Sequence, residues 1–337
     1  MKKWIAIVVT LLGIVLPTAT HAEDLNFSVN ANLPANQIDS KNTYFDLKVE
    51  PGQTQNLEIT IHNNYKTAHK FKVSPNQAVT NVNGIVDYSN HNLKKDSTLA
   101  APFESMMAEP KTVTVAGNTD QTVSLKLTVP EKAFRGTVLG GIQVRDLTAG
   151  GQAKKTKGIS LTNKYAYVIG VQLREETDEL VEPNLKLNQI KTKQTNGYNS
   201  IAANLQNTEP VILHDFVVKA HINKRGSSKS VITTNKKDMT MAPNSNFDFE
   251  LTPKDNKLTP GKYTLYLDAK GEDGKYHWKF KRDFVITQAE ASRLNRSIVN
   301  GQNYFWWLVI AVAFIILLIL ALIYMIWRLR KNKKAQD

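Results

Sequence analysis

The sequence predicts an all-β body of two tandem sandwiches, a short stalk and one C-terminal transmembrane α-helix. Three observations predict it. Between residue 44 and residue 286 the chain runs in short stretches of alternating apolar and polar residues, punctuated by Gly, Pro and Asn turns, with almost no helical periodicity before Ala289. About 280 residues lie between residue 22 and the terminal apolar run, too many for one small sandwich and enough for two domains. Phe305 to Trp327 is unbroken apolar sequence, followed by Arg328, Arg330, Lys331, Lys333 and Lys334.

Taken from the N-terminus, Lys2 and Lys3 precede a short apolar core, Trp4 to Leu16, then Pro17 and the small-residue site Thr20-His21-Ala22. This pattern reads as a secretory signal over 1–22, cut before Glu23. The exported body contains no cysteine, so its domains stand on apolar cores without disulfides, and thiolate chemistry is excluded. Residues 23–327 hold 36 Lys and Arg against 29 Asp and Glu, a balance of +7. Outside a cell that charge makes nucleic acid an unexpected partner; it suits an anionic envelope polymer or acidic surface, and equally a merely solvated basic face.

The first domain is expected over 27–149. Tyr44 to Val49 leads into Glu50-Pro51-Gly52-Gln53, where Pro and Gly suit the central positions of a type II turn. Asn56 to Asn63 follows, with Leu57, Ile59 and Ile61 on one face and Glu58, Thr60 and His62 on the other. Lys111 to Val115, a turn at Ala116-Gly117-Asn118, and Gln121 to Val129 repeat the pattern, with Val123, Leu125, Leu127 and Val129 pointing one way. Thr137 to Arg145 and Ile159 to Glu175 read as strands flanking the Gly- and Lys-rich stretch Ala149 to Gly158. That stretch is either a hairpin loop completing the first domain or the domain boundary; a second domain over 158–287 takes the latter, with a structural hinge placed near 177–183.

Strands in the second block are expected at Leu185 to Ile190, Ser200 to Gln206, Phe216 to Ile222, Val231 to Thr234, Phe247 to Leu251, Tyr263 to Ala269 and Tyr276 to Ile286. In the last, Tyr276, Trp278, Phe280, Phe284 and Ile286 share one parity and His277, Lys279, Lys281 and Asp283 the other, with Arg282 interrupting the apolar face. Glu272-Asp273-Gly274 carries a hairpin signal. Val115 to Asp120 is echoed by Met241 to Asn246, each followed by a strand and then by a Gly-led strand, at Gly136 and Gly261. Duplicated Ig-like sandwiches would produce such an echo. The segment 288–303, with Ala289, Ala291 and Leu294, is read as a short helix or stalk whose job is spacing.

The span over 305–327 reaches roughly 35 Å at about 1.5 Å per residue, enough for a bilayer core of about 30 Å. Its basic flank puts the tail 328–337 in the cytoplasm and the body outside. A sortase-type LPxTG motif is absent before the span, where Val299 to Tyr304 stands, so the protein is expected to stay in the lipid bilayer.

No HExxH, GxSxG or Gly-rich phosphate loop occurs, and the histidines of the body, His62, His69, His91, His214, His221 and His277, sit mostly on solvent-parity positions or loops. No enzyme activity, metal or cofactor is expected. Glycan binding wants exposed aromatic faces with hydrogen-bonding neighbours; Tyr44, Tyr65 and Tyr88, with Asn63 and Asn64, are the candidates, and each also suits packing or a turn.

Tyr44 to Gln53, Ile61-His62-Asn63-Asn64 and Gly136 to Ile142 together resemble the first extracellular domain of the WxL-interacting proteins of Gram-positive bacteria. Met241 to Phe249, Pro260 to Leu265 and Trp278 to Ile286 are similar to that family's second domain. The resemblance implies a surface component whose first domain binds peptidoglycan and whose second binds host extracellular proteins such as those of the matrix, the whole associating with wall-bound WxL-domain surface proteins. The Trp-x-Leu triplets here, Trp306 to Leu308 and Trp327 to Leu329, lie at the membrane borders, where interfacial aromatics are ordinary. The function expected is therefore a membrane-anchored scaffold; the alternative is an extracytoplasmic assembly factor that pairs strand edges with exported proteins.

Overall fold

The computed structural model describes residues 26–148, 165–178, 180–298 and 305–333. The signal segment 1–22, the Ala149 to Gly158 stretch, the stalk residues 299–303 and the last tail residues, 334–337, lie outside the described residues.

In the first sandwich the strands are β1 (Phe27–Asn32), β2 (Phe45–Lys48), β3 (Thr54–Asn63), β4 (His69–Gln77), β7 (Lys111–Val115), β8 (Thr119–Thr128), β9 (Val138–Asp146) and β10 (Ala166–Arg174). They form a sheet β1-β3-β8 facing a sheet β2-β10-β9-β4-β7. Alternation explains the layering: Leu57, Ile59 and Ile61 of β3 and Leu125 and Leu127 of β8 are fully buried against Phe45, Leu47, Phe71, Ile142 and Val171 of the opposite sheet. Burying each such side chain contributes about 1.5–3 kcal/mol. The Pro51-Gly52 turn forms as expected: Gly52 has φ 74°, and the Gln53 N–H donates to the Glu50 carbonyl at 3.0 Å. A ribbon of β5 (Val79–Thr80) and β6 (Val86–Asp87) and a single helical turn, α1 (Phe103–Met106), lie between β4 and β7.

The second sandwich pairs β11 (Leu185–Thr195), β12 (Tyr198–Asn207) and β15 (Ser245–Leu251) in one sheet. Its other sheet has the order β14-β13-β16-β17, from β13 (Leu213–Lys224), β14 (Ser230–Met241), β16 (Gly261–Gly271) and β17 (Tyr276–Ile286). The parity read in β17 holds. Trp278, Phe280 and Phe284 pack against the core, and Arg282 reaches across to donate to the Asn188 carbonyl of β11, which accounts for a cation on the apolar side.

The structure refines two of the expected ranges. The range 158–287 takes in β10, yet β10 pairs antiparallel with β9 and parallel with β2, so it is packed in the first sandwich. The chain passes to the second sandwich after it, and that passage is bridged: Thr137 N–H donates to the Pro210 carbonyl (2.7 Å), Thr240 N–H to the Gly84 carbonyl (2.8 Å), and the buried Thr80 and Ser245 hydroxyls meet at 2.6 Å. The segment 288–303 is not a free spacer throughout. Helix α2 (Gln288–Arg296) starts at a capping box made by Thr287 and Glu290 and buries Ala291 and Leu294 in the second core. Asn295 fastens it by exchanging hydrogen bonds with the Leu258 backbone.

Helix α3 (Phe305–Lys333) contains an 18-residue stretch, Val309–Ile326, of mean hydropathy 3.3 whose side chains are exposed throughout. An apolar surface of that kind and length fits a bilayer.

Candidate functional site

The five candidate residues fall into two groups. Asn63, Asn64 and Tyr65 occupy the β3–β4 turn. Asn63 is 1% exposed, and its amide donates to the carbonyls of Thr67, Val115 and Ala116 at 2.9–3.1 Å while its Oδ1 accepts from Tyr65 N–H. It is a structural bracket, not an outward-facing sugar contact. Tyr65 stacks on His69 at 3.7 Å, and His69 in turn bonds the buried Asp146 carboxylate through Nδ1 at 2.8 Å. Asn64 is exposed, and its backbone N–H donates to the Asn26 carbonyl.

Tyr44 and Tyr88, by contrast, are brought to one cleft of about 540 Å³. Its floor is set by sheet register. Gly170 of β10 lies directly opposite Gly141 of β9, and Gly141 opposite Asn76 of β4. At this row two adjacent strands thus present no side chain on their outer face. Tyr44, just before β2, stands beside Gly170, with its Cβ 3.7 Å from where a Gly170 Cβ would lie. Tyr88 lies over Gly141 so closely that a Cβ there would come within 2.9 Å of its ring. Asn76 Nδ2 holds the Tyr88 carbonyl at 2.6 Å. The neighbouring Gly140 serves the other face, where a Cβ would strike Phe103 of the core.

Burial, and secondarily the nearby Tyr44, pushes the Tyr88 hydroxyl above its ordinary pKa, so it stays a neutral donor. Tyr44 is 38% exposed. Thr43, Gln172 and His214 add hydrogen-bonding groups to the cleft walls, and Val168 and Ile212 add apolar surface. Aromatic faces beside polar donors and acceptors are what a sugar ring needs: apolar C–H faces to stack, hydroxyls to satisfy. Gln172 and His214 were missed from sequence, although the outward parity of Val168, Gly170 and Gln172 on β10 was the available signal.

A larger concave face, of about 1070 Å³, lies on the outer side of the β13-β16-β17 sheet. Register sets it out in rows: Val217, Lys270, His277; then Lys219, Asp268, Lys279; then His221, Tyr266, Lys281. The hydrogen bond from His277 (2.9 Å), opposed by slight burial and aided by the Lys279 and Lys270 charges, holds the Asp268 carboxyl below its ordinary range. Lys281 lies over the Tyr266 ring at 5.5 Å, and Tyr266 stacks on His221. Among the described residues Lys219 and Lys270 make no ion pair; Asp215, Asp238 and Asp273 also line the face.

These two surfaces fit a class of two-domain binding protein, one sandwich carrying an aromatic cleft and the next a charged face on which four lysines and four aspartates stand together. Residues 27–146 match the family model described as WxL Interacting Protein, peptidoglycan binding domain, and residues 156–296 match WxL Interacting Protein, host binding domain. The matches together span most of the chain and stand in the order the sequence suggested; the chain belongs to the WxL-interacting protein family. It is accordingly a surface binding protein.

No curated protein matches the chain. Among solved structures, a chain from a chaperone–tip adhesin complex of CFA/I fimbriae biogenesis is 10% identical, with 77% of this chain and 98% of that chain covered, at a TM-score of 0.30. The class 5 fimbriae chaperone CfaA gives 11%, 77%, 100% and 0.28, and the Escherichia coli chaperone DraB 10%, 76%, 95% and 0.27. Scores of this size do not establish a shared fold.

Proposed function

We propose that this protein is a non-catalytic, membrane-anchored scaffold. Its first domain, over 27–149, holds peptidoglycan glycan strands in the Tyr44–Tyr88 cleft. Its second, expected over 158–287, engages WxL-domain surface proteins and host extracellular proteins. The signal over 1–22 exports the body, the helix over 305–327 anchors it in the lipid bilayer, and the basic tail stays in the cytoplasm. The observation that carries this reading is the glycine-floored cleft between two tyrosines: Tyr44, Tyr88 and Gly141 lie in the residues that match the peptidoglycan-binding model, while Gly170, Gln172 and His214 on its other wall lie in those that match the host-binding model.

The test is retention of the detergent-solubilised full-length protein on purified peptidoglycan. Tyr44 is 38% exposed and lies outside the apolar core, so Tyr44→Ala removes a stacking face without unfolding the domain; losing one stacked contact of about 1–1.5 kcal/mol predicts a five- to tenfold drop in affinity. Unchanged retention would remove the cleft from the reading.

A further inference from the structure

The two sandwiches share one strand plan, and they differ at one sheet edge. Asn63 and Asn207 end β3 and β12 in the same way: Asn207 is also fully buried, donates to the carbonyl four residues on (Val211) and to Ala242, and accepts from the N–H two residues on (Glu209). From these brackets β4, β9 and β10 correspond to β13, β16 and β17, with Gly136 and Gly261 leading equivalent strands. The row Asn76, Gly141, Gly170 then matches His221, Tyr266, Lys281. In the first sandwich β10 is not the edge strand, because β2 pairs with it in parallel and sets its buried Asp46 carboxylate 2.7 Å from Arg174 of β10. In the second, among the described residues, no strand pairs with β17 on the side away from β16.

We infer that the outer edge of β17 takes an extended acidic segment of a partner polypeptide, added in the place that β2 fills beside β10. This names the chemistry of the protein partner and rests on reading the second domain as the protein-binding one. Apart from the place where Arg282 reaches the Asn188 carbonyl of β11, the edge offers backbone N–H and C=O groups at the strand repeat, which only another extended backbone matches; a polyanion of different repeat would use the lysines and leave the edge unpaired. On the solvent face Lys279 and Lys281 stand two residues apart, about 7 Å along the strand, the spacing of alternate side chains on a neighbouring strand. The first sandwich has Tyr44 beside Gly170; the equivalent place beside Lys281 is free for a carboxylate. Cross-strand pairs of opposite charge are favourable and like charges are not, so this basic edge rejects β17 of a second copy while accepting an acidic strand. Further in on the same face Asp215, Asp238, Asp268 and Asp273 offset Lys219 and Lys270, so the attraction for an acidic segment is concentrated at the edge strand itself.

The test uses the full-length protein in detergent micelles at low salt, with a fluorescein-labelled (Thr-Glu)6 peptide, the same peptide N-methylated at alternate backbone nitrogens, and inorganic polyphosphate. The expected result is that the first peptide binds and slows hydrogen exchange at β17 amides. The pair Lys279→Glu and Lys281→Glu weakens it at least tenfold, and the N-methylated peptide binds at least tenfold more weakly. The pair Lys254→Glu and Lys257→Glu, the same charge change on an exposed loop, stays within about twofold. Strand addition is overturned if the N-methylated peptide binds as well, if β17 amides gain no protection, or if polyphosphate competes better than a peptide of equal charge. Peptidoglycan retention, measured on the same samples, separates the two readings: its loss with peptide binding intact counts against the scaffold, and its persistence without peptide binding counts against strand addition.

Discussion

The two sandwiches use the same brackets and strand order but dress the equivalent sheet face in opposite ways. In the first, two glycines leave backbone bare between Tyr44 and Tyr88; in the second, Tyr266 and Lys281 stand at the matching places amid Lys219, Lys270 and Lys279. The core sets the frame, and the outward parity, which the core does not constrain, is where the domains diverge. One face offers stacking and neutral hydrogen bonds, the other charge. The same contrast extends to the edges, where β2 closes the first sheet and β17 leaves the second open.

The most severe way to break the comparison is at the brackets. Asn63→Ala and Asn207→Ala each leave one buried carbonyl and at least one part-buried carbonyl without their donor, and each is expected to cost about 2–4 kcal/mol. Denaturant unfolding of both variants checks it; equal losses support the equivalence, and a loss at one site alone breaks it. Next is Gly141→Val. A side chain there collides with the Tyr88 ring and Val168, so about 1–3 kcal/mol of stability is lost through overpacking, and peptidoglycan retention falls with the displaced ring. Thermal melting read beside retention measures the two effects together.

The smallest effect concerns how the sandwiches are joined. Asp96 accepts from Gln206 at 2.7 Å and also from Asn246, both on the second sandwich, and Asn244 Nδ2 donates to the Thr98 hydroxyl. Burial alone would raise the Asp96 pKa, but the hydrogen bonds from Thr98, Asn246 and Gln206 outweigh it and hold the carboxyl below its ordinary value. A folded pKa below the unfolded value, about 3.9, means the contribution is present above pH about 4 and is lost as pH falls through the folded value. Asp96→Asn is expected to lower stability by less than about 1 kcal/mol at pH 7, since the site is partly solvated, and by less at pH 2 than at pH 7. Urea midpoints at the two pH values decide it.

Much of this frame was legible in the sequence. The parity of β17, the Pro-Gly turn and the echo of Val115 to Asp120 in Met241 to Asn246 follow from local rules, and Asn118 and Asn244 do take the positive φ that both turns need. What was hidden depended on distant pairing. Tyr44 and Tyr88 share a cleft because β2 joins β10 in parallel, more than 100 residues away, and no local pattern announces such a pairing. Asn63 resembled an exposed turn residue because two of its amide partners, Val115 and Ala116, lie more than 50 residues on, at the end of β7 and in the turn after it. Helix α2 looked like a spacer because only Ala291 and Leu294 of its residues are buried.

The division of labour between the faces is tested most directly by one cross-comparison in the full-length protein: peptidoglycan retention and (Thr-Glu)6 binding, each measured for Tyr44→Ala and for Lys279→Glu with Lys281→Glu. The predicted result is that Tyr44→Ala loses retention and keeps peptide binding while the lysine pair does the reverse. Loss of both activities in either variant, or of neither in both, would contradict it.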